Sequence, residues 1–149
     1  MNALLAPTLK ANGGRYTAAQ LNAFSRFVDT MTRTKNSRIG SPEGVDALVA
    51  FAQRTARTET AAPAERAAAA GVLARIPAPR TETLQLLTGW LEPRQPAELQ
   101  RAAIRAMSAT ADKSVPTTLL AAWPGFSPET RAAALETLLS REPWTFATL

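Results

Sequence analysis

The chain is expected to be all-α, built from stacked antiparallel helix pairs, and three observations point there. Apolar residues recur at three- and four-residue spacing, as in Leu21, Phe24, Val28 and Met31. Short breaks rich in Pro, Gly, Ser and Asn separate those stretches. Leu86-Leu87-Thr88-Gly89-Trp90 returns 33 residues later as Leu119-Leu120-Ala121-Ala122-Trp123. Before those copies, Ala69-x-x-x-Leu73, Ala103-Ile104-x-x-Met107 and Ala134-Leu135-x-x-Leu138 stand 34 and 31 residues apart. A helical pattern at such a distance is the signature of helix pairs that bury their apolar faces against their neighbours.

The elements follow in order. Asn12-Gly13-Gly14 predicts a turn, and Thr17 with Gln20 a capping box. The first helix carries Leu21, Phe24, Val28 and Met31 inward, widened by Phe27, and ends near Arg33–Lys35. Ser41-Pro42-Glu43 opens the second, with Ser as N-cap and Pro at the first helical position. Its core face is Val45, Leu48, Val49 and Ala52, with Phe51 alongside. Pro63 starts a third helix bearing Ala69, Val72, Leu73 and Ile76, stopped by Pro77-Ala78-Pro79. The fourth, about 81–91, places Leu84, Leu87 and Leu91 on one stripe, widened by Leu86 and Trp90. The fifth, about 96–110, turns Leu99, Ala103, Ile104 and Met107 inward before the Asp112-Lys113 turn. The sixth carries Leu119, Leu120 and Trp123 and breaks at Pro124-Gly125. Ser127-Pro128-Glu129 caps the seventh, with Ala134, Leu135, Leu138 and Leu139 facing in. Trp144 to Leu149 begins an eighth that the chain does not complete. One domain is the expectation over residues 1–149: a divergent leading unit over 1–62, then regular repeats over 63–149 with the last one incomplete.

Composition narrows the chemistry. The chain has no Cys and no His, which removes disulfides, thiolate nucleophiles, zinc fingers and imidazole acid–base catalysis. The twelve Asp and Glu stand singly, without a calcium-loop pattern, and no Gly-rich phosphate loop occurs. No enzyme, metal or cofactor is therefore expected. No apolar run approaches the ~18–20 residues that span a bilayer. Met1 to Lys10 does not read as an export signal, so any such signal would lie upstream of this segment.

Charge is uneven. Residues 1–80 hold eleven Lys and Arg against five acids, and residues 81–149 hold six against seven. Arg26, Arg33, Lys35 and Arg38 are the densest cations and the candidate polyanion-binding residues. The simpler role for them is a solvated helix rim, since no aromatic or Gly-rich element is interleaved. Arg66, Arg101, Arg105 and Arg131 lie on first helices of successive units and are candidates for partner binding as a basic ladder. Structural pairing, Glu98 with Arg101 or Arg105, is their plainer use. Trp90 and Trp123 are expected to fill helix layers. Trp144, on the unfinished helix, is the aromatic candidate for partner contact.

Pro116-x-x-Leu119-Leu120-Ala121-Ala122-Trp123-Pro124, Phe126-Ser127-Pro128-Glu129-Thr130-Arg131-Ala132-Ala133-Ala134-Leu135 and Leu138-Leu139-Ser140-Arg141-Glu142-Pro143-Trp144 form a distinctive run. Over roughly residues 63–149 the chain resembles the HEAT-like repeat segment of large planctomycete multidomain proteins, often labelled membrane-bound dehydrogenase or haem-binding-domain proteins. That resemblance implies a scaffold role within an exported parent protein, and the elements read above make the whole a HEAT-like α-solenoid of about seven helices plus a truncated eighth. In that family the segment lies between a propeller and a c-type cytochrome domain. The haem ligands have no counterpart here, because Cys-x-x-Cys-His is absent.

The functional expectation is a non-catalytic helical-repeat scaffold, part of a larger bacterial protein, that holds a protein partner or neighbouring domains. The alternative is a nucleic-acid-binding module using the basic N-terminal half. Self-association through the C-terminal end is a further expectation, from Trp144, Phe146 and Leu149. Cysteine absence leaves the compartment open.

Overall fold

The computed structural model describes residues 8–33, 44–76, 80–141 and 144. Over these the chain is all-α, with seven helices and no strand. They are α1 (Ala18–Arg33), α2 (Val45–Arg57), α3 (Pro63–Leu73), α4 (Arg80–Gly89), α5 (Ala97–Thr110), α6 (Val115–Ala122) and α7 (Pro128–Leu139), with a 3-10 turn at Trp123–Gly125. The chain divides into two compact units, Met1–Ile76 and Pro77–Leu149.

In the first unit, Asn12 and Arg15 exchange backbone hydrogen bonds around Gly13 and Gly14, whose φ angles of 58° and 76° suit glycine. The expected capping box then forms. The Thr17 amide donates to Gln20 Oε1 at 2.9 Å, and the Gln20 amide donates to Thr17 Oγ1 at 3.2 Å. Gln20 Nε2 also donates to the Lys10 carbonyl at 2.9 Å, tying the entering segment to the first turn. Helix α2 begins after Gly44, held at φ 96° without a side-chain cap. The expected Ser41-Pro42-Glu43 start lies outside the described residues.

Helix α3 packs on both α1 and α2. Along the α1–α3 seam, Gly71 sits where an added Cβ would lie 3.4 Å from Ser25 Oγ, and Ser25 itself donates to Leu21 O. One turn on, Arg75 grips Asp29 with two hydrogen bonds, Nε to Oδ1 at 2.8 Å and Nη2 to Oδ2 at 2.9 Å. Residues 25 and 29 thus match 71 and 75 in ascending order, so α1 and α3 run parallel. Leu21, Phe24, Leu48, Ala52, Ala69 and Val72 form the buried interior. Tyr16 and Phe51 meet edge to face at 5.5 Å.

The second unit repeats that relation. Helix α5 packs against α4, α6 and α7. Thr130 Oγ1 donates to Gln100 Oε1 at 3.4 Å, and Arg141 Nη2 donates to the Ser108 carbonyl at 3.1 Å. Again the pairs ascend together, so α5 and α7 run parallel. Leu99, Ala103, Ile104, Met107, Leu119, Ala134 and Leu138 are buried. Ser127 caps α7 as expected, accepting from the Thr130 amide at 3.2 Å. Between α5 and α6, Ala111 turns left-handed at φ 54°, and Asp112 accepts from the Ser114 amide and hydroxyl.

Two inward assignments are corrected. Leu135 and Leu139 are 46% and 61% exposed, because α7 buries Thr130, Ala134, Thr137 and Leu138 instead. The 33-residue match also slips when judged by burial. Leu87 is fully buried but its counterpart Leu120 is 40% exposed, while Leu119 is fully buried. Trp90 is 2% exposed, whereas Trp123 is only half-buried. Pro124 stands where Leu91 follows Trp90, and without an amide hydrogen it opens a 3-10 turn there.

Three stability outcomes follow from this packing. Met107→Ala should cost about 2–5 kcal/mol in denaturant unfolding, against within about 0.5 kcal/mol for exposed Leu139→Ala. Ala111→Gly should add about 0.5–1 kcal/mol by relieving the left-handed alanine. The hydrogen bonds from the Ser114 amide and then its hydroxyl hold Asp112 below its ordinary 3.8. A depressed folded-state pKa stabilises above the unfolded value and is lost as pH falls through the folded one. Asp112→Asn should therefore flatten the acid limb below about pH 3.8 in a stability–pH profile.

Candidate functional site

The surface with the most chemistry lies in the second unit, on α5, α7 and the 3-10 turn. Arg101 and Arg105, one turn apart, share a face of α5. Arg101 reaches across to Glu129 at 3.8 Å, a long and exposed contact worth at most a few tenths of a kcal/mol. The expected pairing of Glu98 with Arg101 or Arg105 is corrected: among the described residues neither bond forms. Arg105 is exposed and carries no ionic partner among the described residues.

Arg131 lies beside the 3-10 turn. Its guanidinium stands 5.8 Å from the Trp123 ring centre, and its Nη2 donates to the Pro124 carbonyl at 3.4 Å. Its buried Nε has no hydrogen-bond partner. Pro124 also borders an open, mostly apolar cleft of about 260 Å³, lined by Leu91, Glu92, Pro93, Ala121 and Gly125 among others. A Cβ on Gly125 would come within 2.6 Å of Pro93 Cγ, so only glycine lets the cleft walls approach this closely. Glu92 pairs with Arg94 at 2.6 Å on the exposed rim.

Two partner-binding candidates are withdrawn into the structure. Arg66, in the first unit, is 7% exposed, and its Nε donates to the Ala56 carbonyl at 3.4 Å. Trp144 is 5% exposed, with the Arg141 guanidinium 5.0 Å from its ring, so it presents no free face. The basic ladder therefore reduces to Arg101, Arg105 and Arg131. Sequence reasoning missed the Trp123–Arg131 contact, although the spacing of eight residues across a Pro-Gly break was its available signal.

In the first unit, Arg26 and Arg33 are both exposed on α1, two turns apart and so on one face. Lys35 and Arg38 lie outside the described residues. Asp29, the one acid in α1, is held by Arg75. Among the described residues, no group of three or more Asp and Glu is placed to hold a metal ion. None of the described helices is long and apolar enough to cross a membrane.

A quenching experiment checks the contrast between the tryptophans. With the other two changed to Phe, Trp123 should be quenched by acrylamide several-fold more strongly than Trp90 or Trp144. No family model matches the chain, and no curated protein or solved structure does either.

Proposed function

We propose that the protein is a non-catalytic helical scaffold, a HEAT-like stack of helix layers whose surface holds a protein partner. The observation that carries this reading is the same relation in both units: a helix packs in parallel on the helix two before it, α3 on α1 and α7 on α5. That is how successive layers of an α-solenoid stack, and such a stack offers an extended surface made of many modest contacts. The resemblance of residues 63–149 to solenoid segments of planctomycete multidomain proteins implies the same role. The half-exposed Trp123, the guanidinium beside it and exposed Arg105 are the anchor types that protein interfaces favour.

A second reading, binding of nucleic acid by the first unit, is favoured by one observation. The Asp29–Arg75 bond cancels the single acid of α1 and leaves Arg26 and Arg33 unopposed by any described residue. Two cations make a weak phosphate grip, however, and beside them the described residues offer a single half-buried ring, Phe27.

Two measurements separate the readings. A photo-crosslinking residue at Arg105 should capture a defined protein in the native host, and one at Arg26 should not. Capture of nucleic acid, or of nothing at Arg105, would count against the scaffold. Fluorescence anisotropy with a labelled duplex should show no binding at low salt. Binding that falls steeply with salt and is lost in Arg26→Ala/Arg33→Ala would establish the second reading instead.

A further inference from the structure

The outer face of α7 has an order that its role inside the unit does not use. Its inner face (Thr130, Ala134, Thr137 and Leu138) is buried. On the opposite side Ala132, Leu135 and Leu139 are exposed, spaced by three and then four residues. That is the a–d–a spacing of a helix-pairing seam. Leu135 and Leu139, with Leu120, are the exposed large hydrophobic residues among the described part of the chain. In the aligned motif, Ile104 of α5 occupies the place of Leu135 and is fully buried.

The charges beside the seam supply its direction. In that heptad frame Arg131 falls at the g position and Glu136 at the e position, five residues later. They flank the apolar stripe on opposite sides. Two parallel helices bring g of one against the following e of the other, so Arg131, once turned from the Pro124 carbonyl, meets Glu136. Antiparallel helices bring like flanks together, here Arg against Arg and Glu against Glu. Glu136 is exposed and has no ion-pair partner among the described residues.

We infer that α7 docks on α7 of a second copy of this chain, in parallel, about a two-fold axis along the helices. The axis makes the charge contact twice, Arg131 with the partner's Glu136 and Glu136 with the partner's Arg131. Leu135 and Leu139 close the seam between them. A 12-residue helix gives a seam of about three turns, short of the ~1,000 Å² expected of a stable interface. The pair is accordingly weak and forms at high concentration. The inference stands on α7 alone and does not need the layered reading above.

Sedimentation equilibrium on the full chain up to millimolar concentration tests it, with circular dichroism confirming that each variant is folded. The wild-type chain should dimerise reversibly, and Leu135→Gln/Leu139→Gln should abolish this. Glu136→Arg alone and Arg131→Glu alone should each weaken dimerisation about tenfold or more, because like charges then face each other twice. An equimolar mixture of those two variants should regain wild-type association as a heterodimer. A wild-type chain that stays monomeric, a dimer indifferent to the leucine changes, or a mixture no tighter than its components would each overturn the inference.

Discussion

Small side chains at the seams between parallel helices set the spacing on which the rest of each unit depends. At the first seam Gly71 faces Ser25, and an added methyl would lie 3.4 Å from the hydroxyl, already at van der Waals contact. At the second, Ala103 and Ala134 are both fully buried. Beside these small residues the larger Leu73, Met107 and Leu138 are buried in the interior. Polar bonds then fix the register that apolar contact alone leaves loose: Arg75 to Asp29 in one unit, Thr130 to Gln100 and Arg141 to Ser108 in the other. At its partial exposure the Arg75–Asp29 pair contributes no more than about 1 kcal/mol. Its larger effect is to make one sliding position better than its neighbours.

Local chemistry carried much of this into the sequence. The Thr17–Gln20 box, the Ser127 cap and the Asn12-Gly13-Gly14 turn each depend on residues within a few positions, and each forms as their side chains dictate. The inward stripe of α5 was equally legible, because Leu99, Ile104 and Met107 are its large apolar residues and share one face with Ala103. Helix α7 was not. It carries apolar residues on two sides, at 134 and 138 and at 132, 135 and 139, and periodicity reports spacing without saying which side meets a neighbour. The tryptophans show the same limit. Trp90 and Trp123 share a motif, yet Trp90 is followed by Leu91 and is buried, while Trp123 begins a 3-10 turn with Pro124 and is half-buried. Arg66 was read as one rung of a surface ladder and Trp144 as open because its helix is cut short, and burial removed both.

The chemical character of the surface follows from what the interior leaves outside. Without Cys or His, few side chains suit covalent or proton-transfer chemistry at neutral pH. Among the described residues, the groups suited to recognition that stand outside include arginines, leucines and one half-covered indole. Guanidinium groups and aromatic rings contribute most to recognition where they are already held in place, since less freedom is lost on contact. Arg131, steadied by the Pro124 carbonyl and the Trp123 ring, is prepared in that sense. Arg105, on a bare stretch of α5, is not.

The junction at Ala111 bears on the energetic cost of exchanging helices between copies. A left-handed alanine separates α5 from α6 in a stretch, 97–115, that holds neither glycine nor proline. Alanine favours the helix, so the competing state is one rod running from Ala97 to Ala122, the opened form through which chains swap helices. Pro116 stands against it. At the second position of α6 its missing hydrogen costs nothing, whereas inside a fused rod it would forfeit a bond to the Asp112 carbonyl and collide with it, at about 3 kcal/mol. One ring therefore keeps the two helices separate within a single molecule.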